Sequence, residues 1–177
     1  MIELLRIRRS IRKYTQKTID KKTLDVLLES LLRSPSSRDI KPCNFIIVDN
    51  KDMLKMLSNS KEHGSKFLQG AALGIVVCAD STKSDVWIED ASIASILVQM
   101  VAESLGLGSC WIQIRNRKHT AGETAEKYIQ SLLKIPEHIK ILSIISIGYP
   151  DEIKKPLAKS GLDYNEIKYN LYSDDAP

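Results

Sequence analysis

Histidine and cysteine are scarce in this chain, and neither is grouped. The three histidines, His63, His119 and His138, are scattered, with no pair at the spacing of a metal site. Cys43, Cys78 and Cys110 stand more than thirty residues apart, which fits neither a disulfide framework nor a zinc ligand set. No Gly-x-Ser-x-Gly elbow and no Gly-x-x-x-x-Gly-Lys phosphate loop occurs. The start, Met-Ile-Glu-Leu-Leu-Arg, lacks the layout of a signal peptide, so a cytoplasmic location is expected. The longest apolar-rich stretch, Trp87 to Leu105, contains Glu89, Asp90, Gln99 and Glu103 and is no membrane span. With so little reactive side-chain chemistry, an enzyme built on this chain would need a bound cofactor.

What is present is an ordinary globular balance, 43% hydrophobic and 27% charged over 177 residues. That favours one domain over 1–177, with 151–177 as a polar C-terminal arm. The net charge of +4 is spread, with 22 acidic residues among 26 basic ones. The only dense basic stretch is read as Arg6, Arg8, Arg9, Arg12 and Lys13, thin for a nucleic-acid polymer but enough for a phosphate.

Ile2 to Arg8 reads as a short helix. Leu24, Leu27, Leu28 and Leu31 form one stripe of an amphipathic helix over Lys22 to Arg33, capped by Asp20. Ser34-Pro35-Ser36-Ser37 breaks it. Buried strands are expected at Cys43–Val48, Leu73–Ala79, Ser109–Ile114 and Ile141–Ile147. Helices are expected at Lys51–Ser58 and Ala121–Leu133, with a loop or broken helix over 59–70. The helix Trp87 to Leu105 is apolar around nearly its whole circumference and so needs cover on all sides. One layer of neighbours from a chain this size hardly suffices, which suggests a partner subunit.

Two segments invite a chemical reading. Arg8-Arg9-Ser10-Ile11-Arg12 offers three guanidiniums and a hydroxyl to a phosphate monoester, or is a solvated basic helix end. Ser34-Pro35-Ser36-Ser37 offers hydroxyls to a ligand, or is an ordinary turn. Gly106-x-Gly108 is no dinucleotide fingerprint, because its glycines follow a helix and precede a strand rather than the reverse.

Taken in order, these segments resemble the nitroreductase family. The likeness lies in Arg-Arg-Ser-Ile-Arg, then Ser-Pro-Ser-Ser-Arg-Asp-Ile-Lys-Pro before a strand. It continues through Trp87-Ile88-Glu89-Asp90-Ala91, Gly106-Leu107-Gly108-Ser109-Cys110-Trp111-Ile112 and Gly148-Tyr149-Pro150, and runs from about residue 6 to residue 156. The resemblance implies an α+β fold with a mixed, mostly antiparallel sheet flanked by helices. It also implies an intertwined homodimer with two FMN sites at the subunit interface.

Carried over by position, Arg8, Arg9, Ser10 and Arg12 would bind the FMN phosphate and ribityl chain, with Arg12 near the N1/C2 side of the ring. Pro35, Ser36 and Ser37 would come from the other subunit, Gln113 and Ile114 would present backbone to the ring near N5, and Lys159 would add a cation for the phosphate. Asp39, Lys41 and Cys43 replace the Asn, Gln and Trp common in the family. A carboxylate only accepts and an ammonium only donates, so a mutual ion pair of Asp39 with Lys41 would preserve the local geometry. Asp39 stays with the cofactor-binding set. Asp90 reads as a polar anchor at its helix start, and Cys110 and Trp111 as core.

The implied activity is FMN-dependent oxidation of NAD(P)H. Flavin N5 carries the hydride to a nitroaromatic, quinone or similar small-molecule acceptor, without a catalytic side chain, metal, nucleic acid or membrane. The alternatives are a flavin-binding store or redox sensor without turnover, and a small nucleic-acid-binding domain using Arg6 to Lys13.

Overall fold

The computed structural model describes residues 1–120 and 122–172. In chain order the elements are α1 (Ile2–Ile7), α2 (Lys21–Leu32), β1 (Cys43–Val48), α3 (Lys51–Leu57), β2 (Leu73–Asp80), α4 (Trp87–Ser104), β3 (Gly108–Gln113), β4 (Lys118–Thr120), β5 (Glu123–Thr124), α5 (Ala125–Leu133) and β6 (Ile139–Gly148). Four strands form one sheet in the order β1-β2-β6-β3, antiparallel at every pair. The parallel element is a single bridge, Ser10 to Ser109, that adds the N-terminal arm to the outer edge of β3.

Alternation along the central strands divides the core in two. Ile75 and Val77 of β2 face α2 and α4, joined by Leu27, Leu31, Ala91, Val98 and Ala102. Val76 and Cys78 face the other side, against Leu54 and Leu57 of α3 and Ile129 of α5. The sheet is thus the middle of three layers, with two principal helices on each face.

A bulge in the pairing of β2 with β6 has a consequence at the far edge. Val77 faces Ser143 and Cys78 faces Ile141, leaving Leu142 as the extra residue. The Leu142 carbonyl accepts both Ile114 N–H (3.0 Å) and Arg115 N–H (3.1 Å), which ends β3 and turns the chain outward.

Several sequence expectations are met. Asp20 caps α2 by accepting Thr23 N–H at 2.9 Å. The 59–70 loop closes in a 3-10 turn over Lys66–Gly70. The helix expected over Ala121–Leu133 begins later, at Ala125 (Ala121 itself lies outside the described residues). Thr124 is its N-cap, accepting Lys127 N–H, and the residues before it form the β4–β5 hairpin. β-branched Thr120 and Thr124 suit a strand, and the cap fixes where the helix can begin.

The arm bearing the arginines is seated at three points. Ile11 N–H donates to Ser109 O at 2.9 Å. Tyr14 Oη donates to Ile11 O at 2.6 Å and lies 2.7 Å from Ser146 Oγ, and burial pushes its phenol far above the ordinary value. Glu152 accepts Arg12 N–H at 2.6 Å and Lys13 N–H at 3.2 Å. Those contacts, the Arg12 N–H first and then Lys154 at 2.9 Å, lower the Glu152 carboxyl from 4.5 to about 2.

Two outcomes follow from this seating. A Cβ on Gly108 would stand 2.7 Å from the Ile11 Cβ, so Gly108→Ala should cost about 1–3 kcal/mol by overpacking. Differential scanning calorimetry would read this as a loss of roughly 2–4 °C per kcal/mol. Glu152 has a depressed folded-state value, so its stabilisation is complete above pH 4.5 and is lost as pH falls towards 2. Glu152→Gln should therefore lower the urea midpoint at pH 7, and its deficit against the unaltered chain should shrink through that acid window. A deficit independent of pH would disprove the ionic tether.

Candidate functional site

The N-terminal guanidiniums converge on one corner of the sheet. Arg8 ends α1 with an extended backbone (φ −56°, ψ 128°), which turns the following residues along the β3 edge. Ser10 lies against Ser109 in a parallel bridge. The Arg12 guanidinium stands 5.7 Å from the centre of the Phe67 ring, a cation–π contact that orients it without a counter-ion. Arg9 donates to Lys155 O at 2.7 Å, so the start of the C-terminal arm closes this corner. Among the described residues no carboxylate forms an ion pair with Arg8, Arg9 or Arg12. Such a donor set fits a phosphate monoester.

The serine segment is built quite differently. Ser37–Asp39 is a 3-10 turn containing Arg38 and Asp39 in the left-handed region (φ 53° and 55°), and Lys41 follows at φ 53°. Three such residues without glycine need external restraint. Ser37 N–H donates to Asp90 Oδ1 at 2.8 Å, Lys41 N–H donates to Ser36 Oγ at 2.9 Å, and Asp39 pairs with Lys41 at 3.2 Å. Arg38 pairs with Asp85. The pair expected of the two departures from the family pattern is therefore formed. Asp90, expected as a polar anchor at its helix start, fastens the serine loop to α4; the side chain of Val86, the N-cap, makes no capping bond.

Within one chain these two halves stay apart. Ser37 is tied to Asp90 in the first turn of α4. Arg9 and Ile11 share a pocket with Glu103, at the other end of α4, and Glu103 feels the Arg8 charge. Thirteen residues of helix rise between Asp90 and Glu103, about 20 Å.

Gln113 and Ile114 end β3. The Gln113 side chain accepts from Trp111 Nε1 at 2.9 Å and donates to Arg115 O at 3.0 Å. Ile114 is buried and its N–H is given to Leu142 O, so the polar surface of this strand end belongs to Gln113. Trp111 packs against the α2–α4 core and Cys110 is buried, its thiol pushed up chiefly by burial. Lys159 opens a 3-10 turn in the exposed arm, its carbonyl accepting Leu162 N–H at 3.1 Å, and its side chain makes no hydrogen bond or ion pair among the described residues. The cationic residues of the arm that sit beside Arg9 are Lys154 and Lys155 instead.

Sequence reasoning missed three contributors. Glu152, Lys154 and Lys155 were legible as a charged run after Gly148-Tyr149-Pro150 but were read only as a polar tail. Phe67 carried no signal of its own. Arg115, Arg117 and Lys118 form a second basic run directly after β3, so the N-terminal stretch is not the only one.

Comparison with known proteins places this architecture. A solved structure described as an FMN-dependent nitroreductase from Clostridium difficile R20291 superposes with a TM-score of 0.96. It is 47% identical, over 97% of this chain and all of that one. An Archaeoglobus fulgidus protein, provisionally named an NADH dehydrogenase/NAD(P)H nitroreductase, is 34% identical over 86% of this chain and 87% of its own. An FMN reductase [NAD(P)H] of Bacillus subtilis is 28% identical over 96% of this chain and 75% of its own. The sequence model of the Nitroreductase family matches residues 5–60 and 52–149, and the chain belongs to that family.

Proposed function

We propose that the chain is an FMN-dependent oxidoreductase that oxidises NAD(P)H and reduces a nitroaromatic, quinone or similar electron-poor acceptor, working as a homodimer. When bound, FMN supplies at N5 the two-electron chemistry that no side chain here offers. Arg8, Arg9 and Ser10 hold its phosphate end, and Arg12 favours negative charge at the pyrimidine edge. Gln113 borders the ring face. Pro35, Ser36, Ser37 and Asp39 complete the cleft from the second protomer, and Lys159 adds a cation from the arm. Among the described residues no acid or base is assigned to hold the transferred proton, and water supplies it in this reading.

The observation that carries the reading is the division of the site along α4. About 20 Å of helix separates the arginine corner from the serine loop of the same chain, whereas a second copy can bring its own loop to the first copy's arginines. Exposed apolar residues support that assembly: Ile93 and Ile96, one turn apart on α4, stay 39% and 40% exposed, and Ile2 and Leu5 of α1, a helix that touches α4, are exposed as well. Isolated soluble domains rarely leave such contiguous apolar surface to water. The Archaeoglobus, Bacillus and Clostridium relatives carry names consistent with this cofactor and donor.

The purified protein should be yellow and dimeric in analytical ultracentrifugation, and anaerobic stopped-flow with NADH or NADPH should bleach the flavin band. Failure of both donors to bleach it would reject the nicotinamide step, and absence of quinone-dependent turnover would leave only a flavin store. Replacing Arg12 by Gln should weaken FMN affinity by about tenfold or more, the loss of a charge-assisted contact, as read by fluorescence titration. Ile93→Glu with Ile96→Glu should give a folded monomer by circular dichroism that no longer retains FMN. A monomer that keeps its flavin would show the site to be complete in one chain.

A further inference from the structure

An open pocket past the end of β3 is lined by Lys61, Glu62, His63, Asn116, Arg117 and Lys118. It has three permanent cations against one carboxylate. Among the described residues none of the three cations forms an ion pair. Two turns build it. Arg117 N–H donates to Ile114 O at 3.0 Å, with Asn116 in the left-handed region (φ 58°), a conformation asparagine tolerates. Opposite, Gly64 at φ 80° folds its segment back to within 3.7 Å of the Lys61 ammonium, measured from the position of a Cβ. Lys61 is half-buried, and burial first and the Arg117 charge second pull it below the ordinary lysine value.

The pocket volume, about 410 Å³, lies within the roughly 300–1,000 Å³ of small-molecule sites. Like charges held this close without counter-ions are unfavourable until an anion arrives. The FMN phosphate is already provided for by Arg8 to Arg12, and nitroaromatics and quinones are neutral. Of the molecules in the proposed reaction, the anion left to match is the phosphate of the dinucleotide.

We propose that Lys61, Arg117 and Lys118 form the phosphate-binding subsite for the nicotinamide dinucleotide donor, placed where the chain leaves β3. The inference rests on the oxidoreductase reading above. The phosphate is the diphosphate common to NADH and NADPH or the 2′-phosphate of NADPH alone, and the two are separable by measurement.

The test uses the FMN-loaded dimer, a neutral benzoquinone acceptor, the double variant Arg117→Gln/Lys118→Gln, the single variant Lys61→Gln, and Lys22→Gln on exposed α2 as a control. The double variant should raise the donor KM by about tenfold, with bound flavin and the quinone KM unmoved; Lys61→Gln should do the same to a smaller degree. A larger rise for NADPH assigns the 2′-phosphate, and equal rises assign the diphosphate. Calorimetric titration of the oxidised protein with ADP and with adenosine 2′,5′-bisphosphate should show binding that weakens with salt and is lost in the double variant. Unchanged donor KM values and unchanged nucleotide titrations would overturn the assignment. So would loss of flavin from the variants, which would hand these cations to FMN. If the unaltered protein oxidises neither donor, the oxidoreductase reading fails, and nucleotide binding with its loss in the variants still decides whether the pocket is a phosphate site.

Discussion

Ile11 donates its N–H to the Ser109 carbonyl at 2.9 Å, and its side chain fills the space that a Cβ on Gly108 would occupy. That close approach brings the arginine-bearing arm onto the edge of β3. One residue of side chain at 108 would push the arm outward, and with it Ser10, Arg12 and the contact of Arg12 with Phe67. The tether from Glu152 and the contact of Tyr14 with Ser146 hold the arm down on either side of that approach.

α4 supplies the second constraint. Its inner stripe of Ala91, Ala94, Val98 and Ala102 is buried and uses small residues, which lets the helix lie close to the sheet. Its two ends hold the serine loop, at Asp90, and the arginine corner, near Glu103, the two halves of the proposed FMN site. The outer stripe containing Ile93 and Ile96 is left uncovered by the chain itself. The same helix thus separates the half-sites within a protomer and offers the apolar surface on which a second protomer would bring them together.

Much of this was legible because it depends on local periodicity and composition. The leucine stripe of α2, the β-branched runs of β1, β2 and β6, and the all-round apolar character of α4 each follow from spacing alone. The ion pair of Asp39 with Lys41 was foreseeable from charge complementarity at positions where two amides are usual. The failures share a cause. The start of α5 was set by the Thr124 cap and a two-stranded hairpin, whose weak pattern competes poorly with helical periodicity. The attachment of Arg9 to Lys155 and of Arg12 to Glu152 joins residues about 140 apart in sequence, and no local signal reports such contacts. Likewise the bulge at Leu142, which disposes of the Ile114 N–H, is a property of strand register.

The distribution of charge explains how a chain with a net charge of only +4 makes a strongly cationic cleft. Four carboxylates near the site are committed to structure: Glu152 to backbone N–H groups of the arm, Asp90 to Ser37, Asp39 to Lys41 and Asp85 to Arg38. Each satisfies a donor that would otherwise compete for a ligand. Arg8 and Arg12 in the corner, and Lys61, Arg117 and Lys118 in the pocket past the end of β3, form no ion pair with a carboxylate among the described residues. Screening by salt weakens fields from scattered surface charges but acts less on charges crowded in a concave wall of low polarisability. These four acidic residues are thereby used up in holding the arm and the serine loop, and the unpaired cations are left where, on the proposed function, anionic ligands would arrive.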